Sequence, residues 1–189
     1  MEEGPATEPR LHVMLDIETM GTGPDAAIVA IGAVKFDPFS PLAFDPEDTF
    51  YTVVDLVSSV KCGGQIDGST VKWWLQQSDE ARRAISGTLS DNIHESLRGF
   101  RLWYGEDNSI PVWGNGATFD NVIVRRAYQR LGMEAPWSHR ADRCFRTLKN
   151  LFPGVEPPEQ SGTHHNALDD AVWQAEYMRL IFQGGTCSG

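Results

Sequence analysis

The spacing of apolar residues changes along the chain, and each spacing predicts an element. Residues 11–15 are apolar and β-prone and predict a strand running up to Asp16. Residues 26–36 form a nearly continuous apolar run, read as a buried strand, and 50–55 give a third after a proline- and aspartate-rich connection at 37–48. The three together predict a meander. The period then becomes helical: 70–77 reads as one helix, 91–103 as another with Ile93, Leu97, Phe100 and Trp103 on one face, and 122–131 as a third, stopped by Gly132. Short strands are expected around Val112 and Cys144. A final long helix carries Leu168, Ala171, Val172, Ala175, Met178 and Phe182 as its apolar stripe. Residues 1–10 and 184–189 read as flexible tails around one domain at 11–183. The order predicts an α/β architecture, a mixed β-sheet flanked by helices.

Polar residues that interrupt this pattern carry the chemistry. Asp16 and Glu18 are two apart on the first strand, so both project from one face, where two carboxylates repel unless a cation lies between them. Hard oxygen ligands at this spacing suit Mg²⁺ or Mn²⁺. The plainer alternative is a solvated pair on an edge strand. Asp120 follows the strand near Val112 across a glycine-containing turn, which places it at a strand-to-helix junction. His165 stands just ahead of the last helix, with Asp169 and Asp170 in its first turn. At about 100° per residue the two aspartates lie equally far from the apolar stripe, so the helical wheel does not choose between them.

These segments resemble the three exonuclease motifs of the DnaQ-like, DEDDh-type 3'-5' exonucleases of the ribonuclease H-like fold. The first is Asp16-Ile-Glu18-Thr-Met-Gly21, the second Asn115-Gly-Ala-Thr-Phe-Asp120, and the third His165-Asn-Ala167-Leu168-Asp-Asp170. With Lys72-Trp-Trp-Leu75 and Trp113-Gly-Asn-Gly116, the pattern is similar to phage and prophage members, to the amino-terminal region of exonuclease VIII and to mycobacterial exoribonuclease relatives. The resemblance implies 3'-5' hydrolysis of phosphodiester bonds with two divalent cations, Mg²⁺ or Mn²⁺, and release of nucleoside monophosphates. It makes Asp16 the bridge between the ions, sets Glu18 and Asp170 on the ion that holds the attacking water, and gives Asp120 to the other. His165 becomes the base. The family's spacing of five selects the pair His165 and Asp170 over His164 and Asp169. Thr19, Met20, Gly21 and Asn115 fall at positions expected to contact the terminal nucleotide. The adjacent Trp73 and Trp74 point about 100° apart on a helix; one of them, taken as Trp74, is expected near that nucleotide as a stacking surface. The turn-rich segment 153–163 predicts that the base sits on a mobile loop.

Composition narrows the setting. The 189 residues, 41% hydrophobic with six tryptophans, can fill one core. No apolar run is long enough to span a membrane, and the acidic, proline-containing start lacks the pattern of a signal peptide. Three cysteines without metal-type spacing favour a reducing cytoplasm. The net charge of −10 is unusual for a partner of nucleic acid. Four site carboxylates offset by two divalent ions explain part of it; the rest favours a distributive end-trimmer that grips few phosphates. The expected partner is the 3' end of a nucleic acid, with no membrane and room for a homodimer. A catalytically silent binding module and a phosphodiesterase of short oligonucleotides are the competing readings.

Overall fold

The apolar run before Asp16 becomes β1 (His12–Thr19), the central strand of a five-stranded sheet in a computed structural model that describes residues 10–40, 45–87, 89–160 and 162–184. β2 (Ile28–Phe36) pairs antiparallel with β1, and β3 (Thr49–Val53) antiparallel with β2, which completes the expected meander. β4 (Val112–Gly114) and β5 (Asp142–Cys144) run parallel to β1 on its other side, giving the order β3-β2-β1-β4-β5. Among the described residues seven α-helices surround the sheet: α1 (Leu56–Lys61), α2 (Gly68–Leu75), α3 (Asp79–Ser86), α4 (Ile93–Tyr104), α5 (Asp120–Arg130), α6 (Phe145–Leu151) and α7 (Ala167–Gly184). Side chains of Asp55, Asp67, Ser78 and Asn92 accept hydrogen bonds from the first free amides of α1 to α4, which fixes where each helix starts.

Two cores form because successive side chains on β1 point to opposite faces. Val13, Leu15 and Ile17 pack with Leu97 and Phe100 of α4 and Ile123 and Tyr128 of α5. Met14 packs on the other face with Phe145 of α6 and Ala171, Ala175 and Met178 of α7. Fully burying each large side chain stabilises the fold by about 1.5–3 kcal/mol. Asp16 and Glu18 continue the row of Met14, so the sheet delivers both to the α7 side.

Two glycines set how closely helices approach that end of the sheet. Gly32 of β2 is paired with Asp16, and a Cβ there would lie 2.2 Å from the Ala167 carbonyl carbon. The start of α7 therefore rests directly on backbone. At Gly114 of β4, a Cβ would meet Asn121 Oδ1 at 2.4 Å and Asp120 Cβ at 2.9 Å, so the first turn of α5 closes on the strand end.

The structure departs from the sequence pattern in three places. α1, α3 and α6 were not predicted; each has eight residues or fewer, too short for an apolar period to emerge. The buried face of α7 is Ala167, Ala171, Gln174, Ala175, Tyr177, Met178 and Ile181, rotated by about 70° from the expected stripe. Of the proposed tails, residues 1–9 and 185–189 lie outside the described residues; Arg10 is tied to Asp37 through its backbone amide at 3.2 Å, and Gly184 ends α7.

Candidate active site

Three chain segments meet at the upper end of β1. Asp16 and Glu18 come from the strand itself. Asp120 opens α5 after a tight turn in which the amides of Phe119 and Asp120 donate to the Gly116 carbonyl, with Gly116 at φ 126°. Asp170 lies in the first turn of α7, whose amides at Leu168 and Asp169 are capped by Asn166 Oδ1 at 3.0 and 3.2 Å. His165 occupies the preceding loop in the left-handed region, φ 64°, with its amide donating to Asp170 Oδ2 at 3.2 Å. Ligand atoms of Glu18, His165 and Asp170 lie within 4.8 Å of one another. All four carboxylates and His165 line one cleft of about 320 Å³.

Burial and mutual repulsion dominate the electrostatics. Glu18 is 8% exposed and Asp120 3%. Burial first, then the charges of Asp120, Glu18 and Asp170, holds Asp16 well above the usual carboxylate range, although Gln174 Nε2 donates to its Oδ1 at 2.8 Å. Glu18 is pushed up to about 9 by burial and by Asp170 and Asp120. Asp120 rises to about 7, burial outweighing backbone amides and Arg146. Asp170 is raised by burial against the opposing pull of the His165 amide. Such a cluster holds protons or cations, because close carboxylates in a low-dielectric site resist being ionised together.

The geometry separates the residues that the helical wheel left tied. Asp170 faces the cleft, and Gln160 Nε2 donates to its Oδ1 at 2.8 Å. Asp169 points away and accepts from the Thr163 amide at 2.8 Å, tying down the loop. Buried Gln174 and Tyr177 rotate α7 so that Asp170 borders its packed face. His164 also lines the cleft but is exposed. The loop itself is pinned to α7, with Trp173 Nε1 donating to the Pro158 carbonyl and the Tyr177 hydroxyl to that of Val155.

A second cavity of about 480 Å³ adjoins the cleft through Ile17, Glu18 and Phe119, and is walled by Thr19, Gly21, Thr70, Trp73 and Trp74. The two tryptophans divide the work. Trp74 is 4% exposed, with its Nε1 donating to the Thr19 carbonyl at 2.9 Å, which braces the strand end. Trp73 is 41% exposed and meets the His165 ring edge-on at 4.8 Å. Met20 lines neither cavity; its amide and carbonyl join Ala27 and Asp67. Asn115 lines the cleft, with its Oδ1 buried and unpartnered. Sequence reasoning missed Gln160, Gln174, Arg146 and Phe119 as cleft residues, and Trp73 as the exposed ring. Only Gln174 left a signal, four residues after Asp170 on the same helix face.

A family model described as the 3'-5' exoribonuclease Rv2179c-like domain matches residues 11–182. The chain belongs to this family. An exodeoxyribonuclease of Enterobacteria phage T4 is 30% identical over 125 residues, covering 59% of this chain and 52% of the phage protein, so the chain spans about half the length of that relative. E. coli exonuclease I, in a zinc-bound complex with single-stranded DNA, superposes with a TM-score of 0.65 at 15% identity, over 95% of this chain and 42% of that one. The nuclease domain of 3'hExo, a DEDDh family member bound to rAMP, superposes with 0.59 at 15% identity, over 95% and 94%. Family membership and shared fold agree with the ribonuclease H-like mixed sheet expected from the sequence.

Proposed function

We propose that this chain is a metal-dependent 3'-5' exonuclease that removes nucleoside monophosphates from the 3' end of single-stranded DNA or RNA. The observation that carries this reading is the convergence of Asp16, Glu18, Asp120, Asp170 and His165 on one cleft beside a cavity large enough for a nucleoside. Their donor chemistry fits the implied cations: oxygen-rich, desolvated and mutually repelling, it suits Mg²⁺ or Mn²⁺. Asp16, Glu18, Asp120 and Asp170 would hold two such ions, which when bound neutralise charge at the attacking and departing oxygens.

The chain's own residues supply the rest. His165 takes the proton from the attacking water, its ring backed by Trp73. Thr19, held by Trp74, and Gly21 line the cavity that receives the terminal base, and Trp73 offers the exposed stacking face. A base that enters this cavity must be unpaired, which favours a single strand. The four carboxylates and His165 all come from one chain. Half-buried, unpaired Cys62 and Cys144 fit a reducing cytoplasm, and no described helix is long and apolar enough to cross a membrane.

The test is hydrolysis of 5'-labelled single strands, duplexes and dinucleotides of DNA and RNA with Mg²⁺, Mn²⁺ or chelator. Stepwise shortening from the 3' end with metal supports the proposal. Strand binding without shortening would make the chain a silent binding module, and turnover of dinucleotides alone a short-oligonucleotide phosphodiesterase.

A further inference from the structure

Basic residues are outnumbered 26 to 16 in this chain, and many of its arginines are already neutralised. Arg82, Arg98, Arg125, Arg126 and Arg130 each pair with a carboxylate. Another group behaves differently. Arg140, Arg143, Arg146 and Lys149 recur at every third position from the turn before β5 into α6. Among the described residues none of the four forms an ion pair with a carboxylate. Arg143 Nη1 donates to the carbonyls of Arg140 and Asp142, Arg146 Nη2 to that of Asn115, and Lys149 lies over the Phe145 ring. Asp142, the one acid in this stretch of sequence, is taken up by Arg125.

Position makes this strip more than a charge run. β5 is the outer strand of the sheet, and among the described residues no strand pairs with its far edge. At one end Arg146 lines the catalytic cleft with Asp120 and Asp170. From there exposed Arg143 and Arg140 lead away along the edge, six residues of chain or at most about 20 Å.

We propose that this strip guides the phosphodiester backbone of a single-stranded nucleic acid, holding the nucleotides that precede the one being removed. The inference rests on the exonuclease reading of the cleft. Charge complementarity selects the occupant: guanidinium groups without carboxylate partners present forked donors that match phosphate. The acidic remainder of the molecule repels a polyanion and favours its passage along this basic edge, which enters the cleft at Arg146.

The double variant Arg140→Gln/Arg143→Gln tests it, with kcat/KM measured with Mn²⁺ on a single strand of about twelve nucleotides and on a dinucleotide across a range of salt. The longer strand is expected to lose about fivefold to tenfold at low salt, the dinucleotide to change less than about twofold. The log–log salt slope on the longer strand should become shallower by about 1.4, two phosphate contacts at about 0.7 each. Arg140→Lys/Arg143→Lys should keep the wild-type slope. An equal loss on both substrates, or an unchanged slope on the longer one, overturns the strip while leaving the exonuclease reading standing. A wild-type protein that hydrolyses neither substrate with Mg²⁺ or Mn²⁺ overturns both.

Discussion

Asp169 and Asp170 are neighbours in sequence with opposite placements, one tying the loop to the helix and the other facing the cleft. Asp170→Asn and Asp16→Asn should each lower turnover by about 10³-fold or more, the scale of losing a ligand that stabilises several kcal/mol of developing charge. Their metal-free melting temperatures should equal or exceed that of the parent, because each removes one of four repelling charges. Asp169→Asn should cost less than about tenfold, since the amide oxygen still accepts from Thr163. Activity assays beside melts with and without Mn²⁺ separate the three; retained turnover in Asp170→Asn would reverse the assignment. His165→Ala should lose about 10²–10⁴-fold in kcat with little change in Mn²⁺ dependence, and His164→Ala far less. The four acids and the histidine were legible as sequence because their motifs are local. Arg146 and Gln160 were not, since each acquires its place only when α6 and the 153–160 segment fold over distant strands.

Among the elements, α7 carries the most. Its first turn holds Asp170, its second holds Gln174 against Asp16, and its entry rests on Gly32. Gly32→Ala puts a carbon where the Ala167 backbone now lies, so the helix must lift. Overpacking of this kind costs about 1–3 kcal/mol, and here it also moves Asp170 away from Glu18. The expected result is a lower melting temperature together with a loss of kcat that excess Mn²⁺ does not restore; normal kcat with lowered stability would show that the ligands follow the helix without harm. The long strands and the helices α2, α4, α5 and α7 were readable from apolar period. The orientation of α7 was not, because buried Gln174 and Tyr177 belong to its packed face although neither is an aliphatic residue that a stripe would count. α1 and α3 left only capping signals, Asp55 and Ser78.

For the whole molecule, the raised carboxylates tie stability to pH. Their folded values, about 7 for Asp120 and about 9 for Glu18 and higher than usual for Asp16 and Asp170, exceed those of an unfolded chain near 4. The folded state thus retains more protons between about pH 4 and 9, so stability falls as pH rises through that window. Calorimetry of the metal-free protein should record a melting temperature that declines from pH 5 to 9, with Mn²⁺ flattening the decline as cations replace protons. A flat metal-free profile would mean that the carboxylates are already relieved. Four of the chain's 26 acidic side chains thus sit in one cluster, where retained protons offset part of the formal charge of −10.

The edge-on contact between Trp73 and His165 also provides a built-in optical reporter. An indole that is 41% exposed and lines the second cavity emits according to what touches it, whereas Trp74 is buried and hydrogen-bonded. A nucleobase sliding over Trp73 should quench the native emission before any bond is broken, so stopped-flow mixing with an unlabelled strand can time docking apart from hydrolysis. Trp73→Phe should abolish that fast phase and leave slower changes from the other indoles. Persistence of the fast phase in Trp73→Phe would mean that the arriving base rests elsewhere.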